Sequence, residues 1–218
     1  MLLKNKFSLN SEEEELLINK NIAQLVYTTG KFEGLPTSLP QTEAIINNYE
    51  VSGVKPDVIA TILNLKRGYE YLLDQLDSQI TFNDLLILNK IVKGGVAYSG
   101  ILRSKNVQVP LTNDVWQPPI PSEQTKLAVI NLLNNDRSAT DKALDLNLML
   151  SRLQLFMDGN KRTAILAANL LLVQSGAGFL AIPESKMHWY GSKLAKFYRN
   201  NQPQSIKQWL YDNCLFGM

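Results

Sequence analysis

Histidine is almost missing from this chain: His188 is the only one in 218 residues. It stands in Lys186-Met187-His188-Trp189, where a lone histidine beside aromatics reads as a surface or structural residue. Mechanisms that need a histidine pair, a Ser-His-Asp triad or a zinc cage are nearly excluded. Cysteine is equally scarce. Cys214 alone rules out an intramolecular disulfide and fits a reducing compartment, so a cytoplasmic location is expected. Excess charge of one sign is also lacking, with 22 basic against 20 acidic residues and a net charge of +2. Neither end carries a basic tail and no helix-turn-helix is legible, so no nucleic-acid partner is expected. Long hydrophobic runs are absent. The longest charge-poor stretch, Thr163 to Leu180, is broken by Asn169, Gln174, Gly176 and Gly178, which describes a buried helix and its exit turn rather than a membrane span. No apolar run follows Met1-Leu2-Leu3-Lys4, so no signal peptide is expected.

What is present is a hydrophobic content of 45%, ordinary for one globular domain, or one domain with a small appendage. Ser11-Glu12-Glu13-Glu14 has capping-box spacing, and Ile18, Ile22, Leu25 and Val26 give the first helix one apolar face, fading at Thr28-Thr29-Gly30. Further helices are expected over 42–48, 56–76, 81–92, 122–134, 141–157, 160–174, 184–198 and 205–211. Each opens on a capping residue or proline, or follows a turn. From Gly100 to Pro121 the pattern changes: Val107-Gln108-Val109 alternates and Pro118-Pro119-Ile120-Pro121 cannot be helical. A short β-hairpin flap is expected there, and a brief extended piece at 179–182. The fold class is therefore all-α, about eight helices with one flap. Trp116, Trp189 and Trp209 are expected as core or interface anchors, and the large apolar helices would permit a homodimer.

The stretch from Gln154 to Thr163 is the least ordinary part of the chain. It is a short polar break between two apolar helices, and Asp158-Gly159-Asn160 would serve as a turn, with Gly159 at positive φ and Asn160 as N-cap. That leaves Lys161 and Arg162 in the first turn of a helix, facing the positive end of its macrodipole at a cost of up to ~1 kcal/mol each. An anion on the helix amides, most simply a phosphate, removes the conflict.

Phe156-Met157-Asp158-Gly159-Asn160-Lys161-Arg162-Thr163-Ala164 resembles the signature of the Fic/Doc (Fido) family, His-x-Phe-x-Asp/Glu-Gly/Ala-Asn-Gly/Lys-Arg. Every position after the first agrees. The resemblance implies an N-terminal helix over 1–30 and a Fic domain over 31–218. It implies Mg²⁺-dependent transfer from ATP, most often of AMP, onto a hydroxyl side chain of a target protein. Asp158 then matches the metal-holding carboxylate, and Gly159, Asn160 and Lys161 the anion-binding loop. Arg162 matches the phosphate-contacting arginine, and Phe156 the aromatic beneath the loop. Val107, Gln108 and Val109 match the flap that aligns a target segment by backbone pairing.

Two departures bear on the chemistry. Gln154 replaces the family's histidine base, and a neutral amide cannot serve as a general base near pH 7, which typically costs 10²–10⁴-fold. The family's second arginine is Ile165, which with Lys161 is closer to the Doc branch and its phosphoryl transfer, although that branch has alanine at Gly159. Thr29-Gly30-Lys31-Phe32-Glu33-Gly34 fits the family's inhibitory pattern, making Glu33 a candidate inhibitory glutamate. The site residues thus point to ATP binding with weakened or lost transfer. The alternatives are a silent nucleotide-binding or regulatory module, or a Doc-like phosphoryl transferase.

Overall fold

The computed structural model describes residues 2–32, 34–111 and 114–218. Within them lie nine α-helices: α1 (Ser11–Lys31), α2 (Leu39–Ile46), α3 (Pro56–Asp74), α4 (Phe82–Val92), α5 (Glu123–Leu133), α6 (Ala139–Leu153), α7 (Asn160–Val173), α8 (Met187–Asn200) and α9 (Gln204–Asn213). Two short antiparallel strand pairs accompany them. The first is β1 (Val109–Leu111) with β2 (Asp114–Trp116), the flap; the second is β3 (Phe179–Leu180) with β4 (Leu215–Phe216). The all-α expectation holds, and each helix read from the sequence has a counterpart among the nine. No helix among the described residues is long and apolar enough to cross a membrane.

Several boundaries differ for physical reasons. Helix α1 opens on an Asn10–Glu13 capping box and does not fade at Gly30 but runs to Lys31. The glycine is accommodated because Leu35 fills the space a Cβ would take, its Cδ1 only 2.9 Å from that position. Helix α6 stops at Leu153 instead of Met157, because Gln154 turns left-handed at φ 49° and ψ 60°. Strand β1 begins at Val109, so Val107 and Gln108 precede the flap strand rather than form it. The pairing of β3 with β4 was not expected: two residues each carry no readable alternation. Of the tryptophans, Trp116 and Trp209 are partly buried, whereas Trp189 is 64% exposed and lies outside the core.

Helix α7 is the centre of the molecule. Every residue of it except Lys161 is buried, as expected for a helix that is apolar on all sides. It packs against α6, α4, α3, α1 and β3. Each fully buried leucine or isoleucine along it contributes about 1.5–3 kcal/mol. Helix α3 comes close enough only through Gly68, where a Cβ would lie 2.7 Å from Leu166 Cδ1. The polar Asn169 is satisfied in the interior, donating to the Leu180 carbonyl at 2.9 Å and accepting from the Leu180 amide at 2.6 Å. At the other end of α6, Arg137 and Lys207 pair with Asp141 and Asp145, fastening α9 to α6. The Leu3 amide joins this network at Asp141, 3.0 Å away.

Glu14 is fully buried in the first turn of α1 and accepts the Gly178 amide at 2.6 Å. Burial pushes its carboxyl up from 4.5 to about 7, outweighing the lowering effect of that N–H. Between pH 4.5 and 7 the folded chain therefore keeps a proton that the unfolded chain has released. This contribution to stability is complete below pH 4.5 and is lost as pH rises to about 7, by up to about 1.4 kcal/mol per pH unit. Urea unfolding of the parent and Glu14→Gln should show the variant gaining on the parent from pH 5 to pH 8. A constant difference between the two would mean that Glu14 titrates like an exposed carboxyl.

Candidate active site

The connection between α6 and α7 is short and closed from within. The Asn160 side chain accepts the Phe156 amide at 2.9 Å and donates to the Phe156 carbonyl at 2.8 Å. Asn160 is therefore not the N-cap expected from its sequence position. That place belongs to Gly159, at φ 77° and ψ 10°, the positive φ expected of it. Asn160 is instead the first helical residue, with its side chain clamping the loop. Phe156, 2% exposed, packs into the core beneath. The Asp158 carboxylate caps the turn by accepting the Gly159 amide at 2.6 Å. The first backbone bond of the helix runs from the Thr163 amide to the Gly159 carbonyl at 2.9 Å. The geometry thus presents the opening of α7, whose first amides have no partner within the helix.

Both cations of that first turn reach the negative ends of other helices. Lys161 donates to the carbonyl of Phe32, the C-cap of α1, at 3.2 Å. Arg162, 4% exposed, reaches the Val92 carbonyl at the end of α4 at 3.4 Å and the Asp158 carboxylate at 3.6 Å. Their unfavourable placement on α7 is thus offset by favourable placement on α1 and α4. An anion is not the only way to resolve the conflict read from the sequence. Glu33, which follows Phe32, lies outside the described residues.

Three residues that sequence patterns did not single out hold the loop in place. Asn89 of α4, 1% exposed, donates to the Asp158 carbonyl at 3.0 Å and to Thr163 Oγ1 at 3.2 Å, and accepts the Gly100 amide at 2.9 Å. Lys93, one turn later, forms an ion pair with Asp158 Oδ2. Arg103 is 3% exposed and spreads its guanidinium over main-chain oxygens: Gln154 at 2.6 Å, Lys105 at 2.8 Å, Pro119 at 2.6 Å and Pro118 at 3.2 Å. It therefore ties the end of α6 to the segments flanking the flap. The flap is also pinned by Trp116, whose Nε1 donates to the Arg152 carbonyl at 2.9 Å while the Arg152 guanidinium lies 4.1 Å from its ring centre. Nothing near Asn89, Lys93 or Arg103 in sequence names their partners.

Desolvation would raise the Asp158 carboxyl, but Lys93, the Gly159 amide and Arg162 together hold it below the usual carboxylate range. Gln154 is 8% exposed, and its side-chain amide donates to the Ser151 carbonyl at 2.6 Å. The nearby Tyr198 phenol supplies no base, because burial, reinforced by Tyr190, pushes its pKa far up. His188 is exposed in the first turn of α8. Beside the loop, a cleft of about 540 Å³ is lined by Tyr98, Ile101, Arg103, Lys105, Met157 and Asp158.

Residues 72–172, which take in α6, the loop and all of α7 but its last residue, match the Fic/DOC family. The chain carries a Fic/DOC domain. Among known proteins, this chain is 30% identical over 179 residues to a Caenorhabditis elegans protein named "Protein adenylyltransferase fic-1". That alignment takes in 77% of this chain but 35% of the relative, so the chain spans about a third of its length. The solved structure of residues 134–508 of C. elegans Fic-1 superposes with a TM-score of 0.78 at 21% identity, over 94% of this chain and 63% of that one. A Fic domain-containing signaling protein from Bacteroides thetaiotaomicron superposes at 0.71 and 20% identity, over 85% of this chain and 75% of that one. At these identities the structural likenesses concern the fold, which is the Fic fold.

Within the Fic domain the structure brings together Gln154, Phe156, Asp158, Gly159, Asn160, Lys161 and Arg162, with Lys93 and Asn89 added from α4. Val107 and Gln108 lie between Arg103 and β1. For a Mg²⁺ ion of the kind the family resemblance implies, Asp158 is a poor fit. One oxygen accepts the Gly159 amide and faces Arg162, and the other bears the Lys93 ammonium. Among the described residues no group of three or more metal-ligating side chains exists.

The Asn160 clamp has a measurable cost of removal. Asn160→Ala leaves a buried amide and a buried carbonyl of Phe156 without partners, at about 1–3 kcal/mol each. Denaturant unfolding should show a loss of roughly 2–6 kcal/mol; a loss below about 1 kcal/mol would mean that the loop does not depend on the clamp.

Proposed function

We propose that the opening of α7 binds the phosphates of ATP, and that the chain transfers AMP to a hydroxyl side chain of a target protein weakly or not at all. The reading is supported by the match to a family that includes a protein adenylyltransferase. The observation that carries it is the loop: Gly159 in the left-handed turn, the opening amides of α7, and Lys161 and Arg162 in the same turn. A helix N-terminus offers N–H donors and positive potential to a phosphate, and the planar arginine fork suits phosphate oxygens. Gln154 argues against efficient turnover. It sits where related enzymes have their base, it carries no titrating proton near pH 7, and its amide is directed to Ser151. Because Asp158 fits Mg²⁺ poorly, no step is assigned to a metal.

A second reading, phosphoryl transfer, is favoured by Lys161 together with Ile165. Ile165 is 1% exposed within the apolar body of α7, so no second arginine reaches the phosphates from that position. The two transfers separate on labelling. ATP carrying the label on the α- or the γ-phosphate is incubated with a cell lysate and the parent, Gln154→His or Arg162→Ala. The parent should leave the lysate unlabelled, and Gln154→His should label proteins from the α-phosphate. Labelling by the parent from the γ-phosphate would replace AMP transfer by phosphoryl transfer. In calorimetry the parent should bind ATP, and Arg162→Ala should bind at least about tenfold more weakly. Equal affinity would remove the loop from the nucleotide site.

A further inference from the structure

Helix α4 ends against the loop at three successive points, Asn89, Val92 and Lys93, and the last of these ends on the carboxylate where the family resemblance would seat a metal. The position of Lys93 is set by packing. It is the C-cap of α4, its side chain is 18% exposed, and its Cδ lies 3.3 Å from where a Cβ on Gly159 would stand. Asn89, one turn earlier on the same face, fixes the distance between α4 and the loop by its bonds to the Asp158 carbonyl and Thr163. The negative end of the α4 dipole favours an ammonium there. A Mg²⁺ ion at Asp158 would need an oxygen at about 2.0–2.1 Å, and would meet the ammonium already bonded to that oxygen.

We propose that Lys93 takes the place of the divalent metal, so that the loop binds the triphosphate of ATP without one. An ammonium has three donors; one is on Asp158, and the others are available to phosphate oxygens. Asp158 in this arrangement is not a metal ligand but the residue that positions Lys93. The inference rests on the reading of the loop as an ATP site. It further implies that Mg²⁺ hinders binding, because it neutralises the phosphates and brings a second cation up to Lys93.

Calorimetry with ATP in EDTA and in excess Mg²⁺, on the full chain, tests this. The parent should bind ATP in EDTA, with equal or weaker affinity when Mg²⁺ is added. Lys93→Met keeps the packing of the stem and removes the charge, and should lose affinity in EDTA roughly tenfold or more. Lys93→Arg should retain binding in EDTA. Mn²⁺ followed by electron paramagnetic resonance gives an arm independent of any variant: with parent and ATP present, its spectrum should be that of Mn²⁺–ATP in buffer. Binding by the parent only when Mg²⁺ is present, or a protein-bound Mn²⁺ signal, overturns the role given to Lys93 and leaves the ATP site standing. No heat with ATP under either condition removes the ATP site and this inference with it.

Discussion

Two hydrogen bonds between the Asn160 side chain and the Phe156 main chain set the geometry on which the rest of the site depends. They close the loop within five residues, leave Gly159 to make the left-handed turn, and place Asn160 at the first position of α7. The helix they launch is buried on all sides, so its axis cannot shift without disturbing α6, α4, α3 and α1 together. Asn169 repeats the device at the other end, clamping Leu180 by the same pair of bonds. A helix held at both ends by amide side chains, and packed on every face between, is a rigid platform for whatever its N-terminus binds.

Charge follows from that placement. Burying an arginine in the first turn of α7 requires compensation, and the fold provides it with a C-terminal carbonyl of α4 and with Asp158, while the end of α1 serves Lys161. The same neighbours make the region crowded. Asp158 is contacted by an amide, a guanidinium and an ammonium, which keeps it ionised and engages both of its oxygens. At Gln154 the crowding takes another form. Its left-handed backbone ends α6, its carbonyl holds Arg103, and its side chain is turned to Ser151, so the residue is engaged in holding the loop.

The sequence made the helices legible wherever a cap is chemically distinct: Thr81 and Ser122 mark observed starts, and the box read at Ser11 and Glu14 lies one residue from the observed pair, Asn10 and Glu13. It also made the loop legible, because Asp-Gly-Asn-Lys-Arg sets a turn and two cations between helices that are otherwise apolar. It did not reveal the left-handed turn at Gln154, since a non-glycine residue gives no local sign of positive φ. Nor could it show Asn89, Lys93 and Arg103, whose partners in the loop and its flanks lie more than fifty residues away and are joined only by the fold. The electrostatic case for an anion read from Lys161 and Arg162 was incomplete for the same reason: it considered the dipole of α7 and could not include those of α1 and α4.

The proposal on which the account turns is that the opening of α7 is a phosphate site. Titrating ATP into ¹⁵N-labelled protein, with amide resonances followed by NMR, tests it most directly. The amides of Gly159, Asn160 and Lys161 should move furthest and saturate together, with smaller changes at the flap. Shifts centred elsewhere, or none at millimolar ATP, would contradict it.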